Sequence, residues 1–170
     1  MEDVYRIKRS LAVALIVDTA LLVALLGVAF FKGNSPVEKV ILSVFLVPLL
    51  LVTLEANYRR VTVSEKGLSI KKFFLKREFL WGDVTDVGAV ILRNRVYLVL
   101  TTTKGFHIIS NAYDGFSALV RGIVSHVEAE RVEEHVKALV ERPVTKVSDV
   151  VSAWAGAVVL LVVIYIRVFL

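Results

Sequence analysis

The sequence predicts an α+β membrane protein: a two-helix transmembrane hairpin, a small antiparallel β domain closed by a helix, and a third transmembrane helix. Two observations carry that prediction. Three apolar runs, residues 11–31, 40–54 and 150–166, hold the excess behind a hydrophobic fraction of 56% and a mean hydropathy of +0.71. Both values are too high for an ordinary soluble domain. Between the second and third runs the pattern changes to short β-branched and aromatic segments bounded by turn residues, which reads as strands. The predicted organisation is an amino-terminal tail and hairpin over 1–56, a cytoplasmic domain over 57–142, and a linker with the last span over 143–170.

The first run has 21 residues and one charge, Asp18. At about 1.5 Å per residue it spans a hydrocarbon core of roughly 30 Å. Arg6, Lys8 and Arg9 precede it as they would a signal peptide. The run is too long for that, however, and Phe30, Phe31 and Lys32 stand where small residues would mark a cleavage site. It is read as a retained helix over about 11–31.

The link Lys32-Gly33-Asn34-Ser35-Pro36 is rich in helix breakers and predicts a tight antiparallel hairpin. Ser35 is the expected cap of the second helix, with Pro36 at its first position. That helix, about 37–55, contains Pro48, which removes the bond to the Val44 carbonyl and predicts a kink. The third span, about 149–168, carries Ser152, Ala153, Gly156 and Ala157, small residues at i, i+4 spacing that let another helix approach closely. The first expectation is packing on the hairpin of the same chain. A second protomer is the alternative.

Positive charge predicts the orientation. Arg6, Lys8 and Arg9 lie in the tail, and Arg59, Arg60, Arg142 and Lys146 flank the middle domain. Only Lys32, Lys39 and Arg167 lie on the opposite side. The amino terminus and the domain are therefore expected in the cytoplasm of a multi-pass cell-membrane protein, and the carboxyl terminus outside.

In the domain, residues 57–64, 68–75, 78–81, 87–92, 96–102 and 106–109 read as strands. Glu65-Lys66-Gly67, Arg93-Asn94-Arg95 and Thr103-Lys104-Gly105 are turns between them. Beyond Asn111 the period becomes helical: Phe116, Leu119, Val120, Ile123, Val124 and Val127 recur at three- and four-residue steps, with Asn111 or Asp114 as caps. Val132, Val136, Leu139 and Val140 continue the stripe, and Pro143 ends it.

Two stretches carry a resemblance. Val61-Thr62-Val63-Ser64-Glu65-Lys66-Gly67-Leu68-Ser69-Ile70 resembles the first hairpin of prokaryotic pleckstrin-homology-like (PH-like) domains. Phe79-Leu80-Trp81-Gly82-Asp83-Val84-Thr85-Asp86-Val87 is similar to their aromatic-x-Asp-Ile/Val-x-x-Val segment. The resemblance covers about residues 60–127, and the preceding hairpin is similar to small bacterial and archaeal membrane proteins that carry such domains. It implies a bent sheet or partly open barrel plugged by a helix, and no activity.

The cations Arg59, Arg60, Lys71, Lys72, Lys76 and Arg77 form the candidate binding surface for anionic lipid or a protein partner. Each cation near an anionic leaflet contributes roughly 1 kcal/mol; the alternative is a solvated strand face. The loop Ser64-Glu65-Lys66-Gly67 is too short and too nearly neutral for phosphoinositide recognition of the eukaryotic kind. Asp18 lies about 10–12 Å inside the first span by helix rise. It is either an ion-handling group or a neutral structural one bonded to Val44, Ser152 or Trp154.

No enzyme is expected. His107, His126 and His135 lack metal-ligand spacing, and the lone serines and glycines form no nucleophile elbow or phosphate loop. With no cysteine, disulfides and thiolate metal sites are excluded. No cofactor is expected. Nucleic acid is not an expected partner either: residues 55–147 hold 15 basic against 11 acidic residues with no long basic run. The expected role is a non-enzymatic binding module at the membrane surface, with a small transporter centred on Asp18 as the alternative.

Overall fold

A computed structural model describes residues 2–33, 35–92, 95–141 and 148–169. The chain forms two compact units. One holds three long helices, α1 (Arg9–Phe31), α2 (Pro36–Tyr58) and α5 (Ser148–Phe169). Each is long and apolar enough to cross a membrane. The other unit holds two antiparallel sheets and two short helices, α3 (Phe116–Val124) and α4 (Glu134–Glu141).

In the helical unit α1 buries Ala14, Asp18, Leu22, Leu25 and Ala29, a stripe at helical spacing. α5 packs along α1. Its small residues are the reason: Ala157 is 2% exposed, and a methyl group added to Gly156 would stand 3.6 Å from both carboxylate oxygens of Asp18. α2 joins α1 through a hydroxyl pair, Thr19 to Thr53 at 2.8 Å, and each hydroxyl also reaches the carbonyl one turn back in its own helix. Ser35 caps α2 as expected, its Oγ accepting from Glu38 N at 3.3 Å, and α2 continues through Pro48. Lys32 Nζ donates to the Arg167 and Val168 carbonyls at 2.6 and 3.1 Å, supplying a cation to the carbonyl end of α5. Val40, Val44, Leu51, Val158, Leu161 and Val162 remain exposed. An apolar lateral surface of that kind suits lipid tails.

The β unit orders its strands as β1 (Asp3–Arg6), β2 (Arg60–Val63), β3 (Gly67–Lys71) and β4 (Lys76–Leu80) in one sheet, and β5 (Val84–Leu92), β6 (Arg95–Thr102) and β7 (Gly105–Ser110) in the other. Alternation decides the faces. Val61, Val63, Leu68, Ile70 and Phe79 from the first sheet and Val87, Leu98, Leu100 and Ile109 from the second are buried. Helix α3 adds Leu119, Val120 and Ile123, all 0% exposed, and Gly122 lies against Val63.

The structure departs from the sequence reading in four places. First, part of the expected tail is a strand: β1 pairs with β2 along its whole length. The chain beyond it pairs on, with Asp114 N bonded to Arg6 O at 2.8 Å and Lys8 N to Ala112 O at 3.0 Å. A four-residue strand between charges is too short for its alternation to register. Second, the expected strand 57–64 begins as helix, because α2 runs on to Tyr58. Third, residues 72–75 leave β3 and form its loop to β4, closed by Lys72 N bonded to Leu75 O at 2.7 Å.

Fourth, the expected single helix is two. α3 ends at Ser125, and neither Asn111 nor Asp114 caps it; Gly115 stands at its N-cap with φ +62°. Val132 instead bridges Val87 and Glu133 N bonds the Val87 carbonyl at 3.0 Å, so this segment covers the outer edge of β5. Satisfying that edge outweighs continuing the helix. Val132, Val136 and Leu139 are still buried. The expected helix stop at Pro143, and Arg93 and Asn94 of the second turn, lie outside the described residues.

Candidate functional site

The register of the first sheet sets Arg6 opposite Arg60, Arg60 opposite Lys71, and Lys71 opposite Lys76. Directly opposed residues share a face. Val61 and Ile70 are buried, so Arg60 and Lys71 point the other way, outward. Like charges directly opposite one another destabilise a sheet. This face nevertheless carries four cations in one row across four strands. Glu78 offsets one, pairing with Lys76 at 2.6 Å. Arg60 Nε is shielded from solvent and has no hydrogen-bond partner among the described residues.

The six candidate cations therefore divide between the two faces of the sheet and the α2–β2 junction. Arg60, Lys71 and Lys76 belong to the outward row, which Arg6 completes. Arg59 lies between α2 and β2. Arg77 stands opposite buried Ile70, on the other face of β4. It joins Lys72 in a cleft of about 230 Å³, lined also by Ile70, Leu75, Phe106, His107 and Ile108. Sequence reasoning named Arg6 only as a flanking charge, and it missed the loop between Lys71 and Lys76. There Phe74 is 84% and Leu75 47% exposed.

His107 forms the inner wall of that cleft. It is 8% exposed and stacks on Phe79 with ring centroids 4.6 Å apart. Burial first, then the charges of Arg77 and Lys72, hold its pKa below the ordinary histidine value. A histidine that resists protonation when folded contributes stability that is complete above the unfolded pKa of about 6.5. That contribution is lost as pH falls below it. Melting temperature should therefore drop as pH is lowered from 7.5 toward 5, and His107→Phe, which keeps a ring on Phe79, should flatten the drop. An unchanged pH profile in that variant would show that His107 does not titrate with folding.

Trp81 is half-buried. Its Nε1 donates to the Ser64 carbonyl at 2.8 Å, and its ring stacks on His126 at 4.8 Å. His126 Nδ1 in turn donates to the Gly122 carbonyl at 2.7 Å, so this histidine ties the β2–β3 turn to the end of α3. Among the described residues no group of three or more His, Asp or Glu side chains is placed to hold a metal ion. In the helical unit Asp18 is 7% exposed. Its Oδ1 has no hydrogen-bond partner among the described residues, so the expected bonds to Val44, Ser152 or Trp154 are not made by that atom.

No family model matches this chain, and no curated protein or solved structure matches it.

Proposed function

We propose that this is an integral membrane protein whose PH-like domain is a non-enzymatic binding module held at the cytoplasmic face of a prokaryotic cell membrane. The observation that carries the reading is the row Arg6–Arg60–Lys71–Lys76. It is unfavourable for the isolated sheet, and a surface of phosphates reverses its sign. Four strands, three strands and a following helix, in that order, support the PH-like assignment. Pairing of β1 with β2 supports the membrane arrangement. The strand before α1 and the strand after α2 belong to one folded body, so the two helices return the chain to the side it left. The excess of Lys and Arg on that side makes it the cytoplasmic one.

Attachment through α1, α2 and α5 keeps the domain at the bilayer and raises its effective concentration toward lipid headgroups and membrane-bound proteins. A ligand that binds only the folded state stabilises it. Full-length protein in nanodiscs should therefore melt higher as phosphatidylglycerol replaces phosphatidylcholine, and the gain should shrink with salt. Lys71→Gln with Lys76→Gln should remove most of the gain. Equal melting in both lipids would sink the anionic-surface reading and leave a protein partner.

The rival reading is a small transporter centred on Asp18, favoured by its buried Oδ1, which has no hydrogen-bond partner among the described residues. Proton flux in the same lipids, abolished by Asp18→Asn, would support it; the binding reading expects none from either protein.

A further inference from the structure

The outward row ends at a loop whose composition the sheet does not explain. Residues 71–77 read Lys-Lys-Phe-Phe-Leu-Lys-Arg: three large apolar side chains between two pairs of cations. The loop is ordered by its own contacts. Lys72 N bonds Leu75 O at 2.7 Å. Phe73 packs edge-on against Tyr58 and Phe74, with centroids 5.1 and 4.3 Å away. This clamps Phe73 and leaves Phe74 projecting, 84% exposed, with Leu75 beside it at 47%. An aromatic ring held in water at the tip of a fixed hairpin is an unfavourable placement unless a partner covers it.

We propose that the β3–β4 loop is a membrane-inserting tip, Phe74 and Leu75 entering the interfacial layer of an anionic bilayer while Lys71, Lys72, Lys76 and Arg77 bind its phosphates. The proposal rests on the membrane-surface reading above and gives it a depth and an anchor. Two features select a bilayer over a protein groove. The apolar tip is ringed by cations, which complements an acyl layer beneath a plane of phosphates. The tip also lies at the end of the sheet where β1 finishes and β2 begins. Arg6 at that end is three residues from the start of α1, and Arg60 is two from the end of α2. The opposite end of the sheet carries the Ser64–Gly67 turn, which has no exposed aromatic residue.

The chain has no cysteine, so one spin label reports depth directly. Full-length Phe74→Cys, labelled and placed in nanodiscs of phosphatidylcholine with phosphatidylglycerol, should collide several-fold more with oxygen than with a water-soluble nickel chelate, relative to Lys104→Cys on the β6–β7 turn. Leu75→Cys should behave like Phe74→Cys and guards against a local defect at either site. The preference should fall sharply in phosphatidylcholine alone and in the Lys71→Gln, Lys76→Gln background. Labels at 74 and 75 as open to nickel as the one at 104 would overturn insertion. If anionic lipid still raised the melting temperature in that case, the surface reading would survive and only the tip would fail. Equal insertion into both lipids would overturn the role given to the cations.

Discussion

Ile123→Ala and Leu119→Ala should each lower the stability of the β unit by about 2–5 kcal/mol, the range for removing large side chains from a packed core. Both residues are 0% exposed on α3, and with Val120 they are its only buried positions. The helix is short, nine residues, and a helix of that length is marginal by itself in water. Its apolar face is therefore the interaction that keeps it in place. A truncation there removes hydrophobic burial and leaves a cavity in the packed core. Arg121→Ala, on the exposed face of the same helix, should stay within about 0.5 kcal/mol of the parent. Denaturant titration of the full-length protein in detergent, read by hydrogen exchange at β6, separates loss of this unit from any change in the helices. A loss below about half a kcal/mol at both buried positions would place α3 outside the core.

The long-range plan was legible because two periodicities are loud in this chain. Runs such as 11–31 and 150–166 have no soluble alternative, and the alternation in Val61-Thr62-Val63 or Leu98-Val99-Leu100 fixes which residues face inward. Failures came where a tertiary contact overrode a local pattern. β1 is four residues and becomes a strand only because Arg60–Val63 offers it an edge. The stripe from Phe116 to Leu139 is continuous in sequence, yet the chain leaves the helix so that Val132 and Glu133 can satisfy the edge of β5. Val132 keeps its buried place either way, so the hydrophobic pattern cannot distinguish the two.

The candidate site was half legible. All six cations could be named from sequence. Their division between an outward row and a cleft depends on strand register, which a list of charges does not contain. Reading residues 68–75 as one strand hid the tip. The signal available was the near-mirror order Lys-Lys-Phe-Phe-Leu-Lys-Arg: a strand alternates, whereas this segment groups its apolar residues at the centre and its cations at both ends.

Register also underlies the second large effect. Gly67→Ala should destabilise the β3–β4 hairpin by about 1–3 kcal/mol or more, as forced overpacking does. Gly67 pairs with Leu80. A methyl group built there would overlap the Phe79 carbonyl oxygen and stand 3.0 Å from Leu80 Cα. Both are backbone atoms, so no side chain can swing aside and the strands must part. Gly67 also closes the preceding turn: its N donates to Ser64 Oγ at 3.2 Å, and its carbonyl accepts from Ser64 N at 3.0 Å. The pair Lys71–Lys76 lies at the other end of the same two strands. A slip of one residue would turn Lys71 inward and break the cationic row. Gly82→Ala is the matched control, since an added methyl meets nothing within 4 Å there. It should be neutral, or stabilising by up to about 1 kcal/mol, through the unfolded chain. Hydrogen exchange should therefore accelerate in β3 and β4 for the first variant alone, with loss of the anionic-lipid effect on melting. Equal behaviour of the two variants would mean that this close approach does not set the register.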